Sequence, residues 1–225
     1  MIRAVDSEAN TLWTKQIGDT HQQSSSSSYS VGLSLVEGTS SLYAGVGLWQ
    51  RSSSLQAPAV LSLDPSSGNI LWTTVLGQGQ SGHGAVRSCI MDGEDVVCVG
   101  YVASPEPGFK FVADEAKPAV WRLSSAGAVL TERILSLDGL GQLAKIRSDP
   151  AGGFVACSTG WGAMGGQDVN VVGVVKLSSS LDIEWSQVNT VRAPGTLKPL
   201  SRTTGRPEGT VRCSTCWWTV RGTTS

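Results

Sequence analysis

The sequence predicts an all-β protein assembled from a structural repeat, and three observations carry that prediction. Tryptophan recurs at a near-fixed interval: Trp13 and Trp72 are 59 residues apart, Thr131 follows after another 59, and Trp185 after 54. Glycine is abundant, at 27 residues, and falls where short apolar runs end, which suits turns between strands better than helices. No window keeps apolar residues at the i, i+3, i+4, i+7 spacing of an amphipathic helix.

Four segments share one shape, an apolar strand, a short polar turn and a second strand that usually carries tryptophan. They are Ile2 to Trp13 (IRAVDSEANTLW), Val60 to Trp72 (VLSLDPSSGNILW), Val120 to Thr131 (VWRLSSAGAVLT) and Val174 to Trp185 (VVKLSSSLDIEW). Pro58-Ala59-Val60 also returns 60 positions later as Pro118-Ala119-Val120. Between these hairpins lies a second element, a turn feeding a short apolar strand: VEGTSSLYAG at 36–45, MDGEDVVCVG at 91–100 and SDPAGGFVACS at 148–158. The strands that lead into those turns are Val31 to Val36, Val86 to Met91 and Leu143 to Arg147.

Each period therefore holds four short antiparallel strands in roughly 50–60 residues, the dimensions of one β-propeller blade. Three complete four-stranded blades are expected over about 30–76, 85–135 and 141–189, preceded by a partial N-terminal blade over 2–18. Propellers close with about four to eight blades, so an open or fragmentary ring is expected, with self-association through its open blade edges. From 190 to 225 the pattern stops. Arg192, Lys198, Arg202, Arg206, Arg212 and Arg221 face only Glu208 there, so a basic, poorly ordered tail is expected.

LSLDPSSGNILWTTVLG at 61–77 resembles the repeat of pyrroloquinoline-quinone-type β-propellers, a Leu-Asp pair, a polar turn with glycine and an aliphatic-Trp strand. GGQDVNVVGVVKLSSSLDIEWSQV at 165–188 is similar to propeller-like repeats of large secreted bacterial proteins. The resemblance covers residues 2–189 and implies fold; such propellers serve as quinone dehydrogenases, assembly scaffolds and surface binding modules. The dehydrogenases resemble one another in a vicinal cysteine pair, a calcium held by Glu and Asn, and a catalytic Asp. This chain has no Cys-Cys dipeptide and no acidic cluster assignable to calcium. The expected function is thus a non-catalytic binding or scaffold segment, with a protein or glycan partner on its loop face and no cofactor or metal. The alternative is a fragment of a quinone-dependent oxidoreductase.

Composition narrows the partners. Charged residues make up 16% of the chain, 17 basic against 18 acidic, for a net charge of −1. That balance offers no general attraction to nucleic acid or anionic lipid, and no apolar run approaches the roughly 20 residues of a membrane span. The opening MIRAVD lacks a signal-peptide core. The chain is expected to stay in the cytoplasm if complete, and to be secreted or at the surface if it belongs to a longer protein. Cys213 and Cys216 form a lone CxxC with His21 and His83 far upstream, too few ligands for structural zinc.

Trp13, Trp72 and Trp185 are read as structural staples of the repeat, because one tryptophan buries about 150–250 Å². Thr131 breaks that pattern, so the interface it serves is expected to be the loosest. Trp49, Arg51, His83, Tyr101 and Trp161 are the candidate binding residues, since blade topology gathers their segments on one face and loops on a rigid scaffold carry function. A hairpin centred between Gly93 and Glu94 sets Met91 against Val96, Ile90 against Val97, and Cys89 against Cys98. Two packed thiols are expected in a reducing compartment and a bridge in an oxidising one.

Overall fold

The computed structural model describes residues 2–15, 17, 34–50, 55–77, 83–103, 116–137, 139–164, 167–192 and 196–203. Every regular element among them is a strand. Strands β1 (Ile2–Val5) and β2 (Thr11–Lys15) form a two-stranded sheet. A four-stranded sheet follows from β3 (Ser34–Glu37), β4 (Leu42–Gln50), β5 (Leu55–Leu63) and β6 (Ile70–Val75). The next holds β7 (His83–Asp92), β8 (Asp95–Ala103), β9 (Lys117–Leu123) and β10 (Val129–Ile134). The last comprises β11 (Lys145–Ser148), β12 (Phe154–Met164), β13 (Gln167–Leu177), β14 (Ile183–Arg192) and β15 (Thr196–Thr203).

Each sheet is an antiparallel meander in which consecutive strands pair. Among the described residues the sheets are not closed on themselves. The last sheet differs from the expected four strands, since β14 runs on to Arg192 and β15 adds a fifth strand beside it. Pro199 sits in that edge strand opposite Asn189, next to a register shift, and edge strands and bulges are where a sheet tolerates proline.

Three apolar clusters join the sheets in sequence. Ile2 and Trp13 pack with Ala44, Val46, Ala59, Leu61 and Leu63, which seats β1–β2 on β3–β6. Val60, Tyr43 and Trp72 pack with Val86, Cys98, Trp121 and Leu123, which seats β3–β6 on β7–β10. Val97, Val99 and Val120 pack with Phe154, Val171, Val175 and Leu177, which seats β7–β10 on β11–β15. Side-chain alternation decides these contacts: on β8, Val96 and Cys98 face one neighbouring sheet while Val97 and Val99 face the other.

Strand register confirms that the repeat is structural. Trp13 pairs with Ala4, Trp72 with Ser62, Thr131 with Arg122 and Trp185 with Lys176, so all four occupy the same place on the second strand of the repeated hairpin. The hairpin turn beside each is also shared. Asp6, Asp64, Ser124 and Ser178 open it, with their carbonyls accepting from the N–H of Ala9, Gly68, Gly127 and Leu181. These four closing residues all have left-handed backbone, with φ of 66°, 68°, 85° and 68°, and each hairpin carries a register shift beside the turn. At Asp6 and Asp64 the carboxylate caps the turn, and hydrogen bonds from the Asn10 and Ser66 side chains hold it below the usual carboxylate range.

The turn of one sheet receives the tryptophan of the sheet before it. Trp13 Nε1 donates to the Pro65 carbonyl at 2.8 Å, and Trp72 Nε1 to the Ser125 carbonyl at 3.0 Å. The indole lies directly over the left-handed glycine. A Cβ built on Gly127 would sit 2.8 Å from Trp72 Cδ2, and one on Gly68 would collide with the Trp13 ring. Glycine is needed at both positions twice over, for its backbone conformation and for the space above it.

The third interface lacks the tryptophan and solves the same problem with other residues. Leu181 stands where Gly68 and Gly127 stand, and it is fully buried in the shared cluster. A non-glycine residue in the left-handed region costs roughly 1–2 kcal/mol, whereas burying a leucine contributes about 1.5–3 kcal/mol, so burial wins. Arg122, paired across the strands with Thr131, donates from Nη2 to the Ser179 carbonyl at 2.9 Å. The interface expected to be loosest is therefore filled from the opposite side.

In the last two sheets the same third-strand position holds the first turn. Arg122 pairs with Asp92 at 2.7 Å and Asp95 at 3.2 Å. Its equivalent, the buried Lys176, pairs with Asp149 at 2.7 Å and donates to the Gly152 carbonyl. That ammonium holds the Asp149 carboxyl below its ordinary range, with the Ala151 N–H adding to the effect. Cys89 and Cys98 lie opposite each other as the hairpin register requires, with Cα atoms 4.1 Å apart and the sulfurs bonded. Cys157 is disulfide-bonded as well.

If indole and left-handed residue form one coupled unit, Trp72→Thr and Gly127→Leu should each destabilise, by about 2–4 kcal/mol. The double variant transplants the third interface's pairing and should recover at least about 1 kcal/mol relative to the sum. Urea melts read this directly, and simple additivity would show that the two positions are independent.

Candidate functional site

Four of the five residues singled out in the sequence lie near the ends of strands. Trp49 is the penultimate residue of β4, opposite Gln56, and His83 opens β7 opposite Ala103. Tyr101 lies two residues from the end of β8, between Ala85 and Pro118, and Trp161 lies late in β12, opposite Asn170. In every case this is the end at which the second strand of the sheet hands over to the third. Arg51, and the side chains of Trp49, His83 and Trp161, lie outside the described residues.

Close backbone approach brings two of these ends level. Gly84, next to His83, lies against Pro58, and a Cβ there would meet Pro58 Cδ at 2.7 Å. Pro58 pairs with Gly47, two residues before Trp49. The Leu143 N–H donates to the Gly100 carbonyl at 3.0 Å, which ties the segment before β11 to β8 one residue from Tyr101.

Tyr101 itself sits inside a strand, and its ring is buried, packed with Ala85 and Ala116 at 5% exposure. Alternation accounts for this, because Val97, Val99 and Tyr101 share one face of β8. Over its ring lies the Arg87 guanidinium, 5.3 Å from the centroid. Arg87 was not among the sequence candidates. It falls where the β7–β8 register shifts between Val86 and Ser88, and the bulge frees it from the alternation of its strand. Its Nε is buried and has no hydrogen-bond partner among the described residues. The cation–aromatic contact contributes about 0.5–2 kcal/mol depending on desolvation. No group of three or more His, Cys, Asp or Glu able to hold a metal occurs among the described residues.

Burial raises the Tyr101 phenol above its ordinary value, and the Arg87 charge opposes that rise. A raised folded-state pKa stabilises the fold below the unfolded value, so this contribution holds up to about pH 10 and fades as the pH climbs through the folded value. In a ring-labelled NMR titration Tyr101 should ionise above free tyrosine, and later still in Arg87→Gln. Ionisation at the free-tyrosine value would show that the ring is solvated.

Compared with known proteins, the chain matches no family model and no curated sequence.

Proposed function

We propose that this chain is a non-catalytic segment of a β-propeller of the pyrroloquinoline-quinone type, and that it presents strand-end loops to a protein or glycan partner. The observation that carries the reading is the repeated joint. One tryptophan-to-turn contact links β1–β2 to β3–β6 and again β3–β6 to β7–β10, with the same carbonyl and the same left-handed position used each time. A fixed joint repeated between successive antiparallel sheets is what a propeller requires. The similarity of LSLDPSSGNILW to quinone-type repeats supports the same fold. Trp49, Arg51, His83 and Trp161 belong to segments at the second-to-third strand ends, and Trp and Arg are residue types that dominate binding energy at interfaces.

The test is binding by the full chain on a glycan array and to immobilised protein ligands, repeated with a Trp49→Ala/Trp161→Ala variant. A hit whose affinity falls at least about tenfold in the variant, with an unchanged melting curve, is the expected result. Ligands bound equally well by both proteins would place binding elsewhere. Dye-linked turnover on addition of quinone and calcium would replace this reading with the oxidoreductase fragment.

A further inference from the structure

We propose that the Cys89–Cys98 disulfide is a reversible redox lock on the joint between β3–β6 and β7–β10, and that its reduction loosens this joint while the sheets stay folded. The lock stands on geometry. Its consequence for binding rests on the strand-end reading above, because this joint sets how the β4 end carrying Trp49 stands to the β7 end carrying His83.

Three observations place the bond at the joint rather than merely inside a hairpin. Both cysteines are buried, at 5% and 0% exposure, in the cluster where Tyr43, Val60, Trp72 and Trp121 join the two sheets. The Cys89 sulfur rests on bare backbone of the neighbouring sheet, since a Cβ on Gly45 would stand 2.9 Å from it. The Cys89 N–H crosses the same interface and donates to Ser34 Oγ at 2.8 Å.

The repeat shows that this place does not need sulfur in order to fold. Cys98 pairs with Trp121 on the third strand, as Ala44 pairs with Leu61 and Ala156 with Val175. On the first strand their partners are Cys89, Leu35 and Ile146. Two sheets thus hold an aliphatic–alanine pair where this one holds the disulfide.

What the cysteines add is chemistry. A dithiol reductant gives up two electrons and two protons, becomes a cyclic disulfide and converts the bond into two thiols. The sulfurs then move from about 2.0 Å apart to non-bonded contact beyond about 3.5 Å, in an interior packed without spare volume. With Trp121 beside Cys98 and Gly45 against Cys89, the added volume drives β7 away from β4. Cys89 lies on the edge strand β7 and is the less buried of the two, so a dithiol reaches it first, through local opening of that strand.

Hydrogen exchange on the full chain, before and after incubation with dithiothreitol, tests this. In the reduced wild type the amide proton of residue 89 should exchange at least about tenfold faster. The Trp13 indole proton, one joint away, should keep its rate, and reoxidation should restore the slow amide. Cys89→Ile/Cys98→Ala installs the pair of the last sheet and should stay slow with or without dithiol. Cys157 is also disulfide-bonded and is still reduced in that variant, so a dithiol response there would assign the effect to Cys157 and overturn the proposal. An unchanged amide in a wild type whose thiols are confirmed by alkylation overturns it too. So would unfolding that reoxidation does not reverse, or a double variant that cannot fold, since the bond would then be purely structural. No ligand enters these readouts, so their failure leaves the strand-end binding reading to its own test.

Discussion

A single left-handed backbone position, at the turn between the third and fourth strands, is the constraint on which the rest of the structure depends. It closes each hairpin, sets the register of the strand that follows and determines what the preceding sheet can lay against it. With glycine there, an indole rests on bare backbone and reaches the turn carbonyl. With Leu181 there, the space is already occupied, and the preceding sheet supplies threonine together with an arginine that reaches the same carbonyl. Two chemically different joints thus hold one geometry.

That exchange explains why some of the fold was legible in the sequence and some was not. The period, the strand pairs and the opposition of Cys89 and Cys98 follow from local features: tryptophan spacing, polar turns and the two-residue Gly93-Glu94 hairpin. The filling of the Thr131 gap was not legible, because the compensating Leu181 lies 50 residues away in another sheet and reads locally as an ordinary apolar residue. The matched cations Arg122 and Lys176 were visible in the aligned segments VWRLSS and VVKLSS. Their meaning appears only once the turns carrying Asp92, Asp95 and Asp149 fold back beside them. Strand β15 has no counterpart in the repeat, so no periodic signal marks it.

The candidate site divides in the same way. The period places Trp49, His83 and Trp161 at equivalent strand ends. The burial of Tyr101 follows from its alternation with Val97 and Val99, a pattern that outweighs its nearness to a loop. Arg87 depends on a bulge, and nothing in the run Ala85-Val86-Arg87-Ser88 announces one. Sheets locked by repeated hydrogen bonds and a cross-strand disulfide form a stiff support, and stiffness lowers the ordering cost when strand-end loops meet a partner.

Exchange of the indole N–H protons tests the central claim most directly. With each tryptophan resonance assigned by substitution, the Trp13 and Trp72 indole protons should exchange with deuterium far more slowly than the indole proton of free tryptophan, because they are held on the Pro65 and Ser125 carbonyls. Exchange at both as rapid as in free tryptophan would contradict the account, since the sheets would then have no common joint.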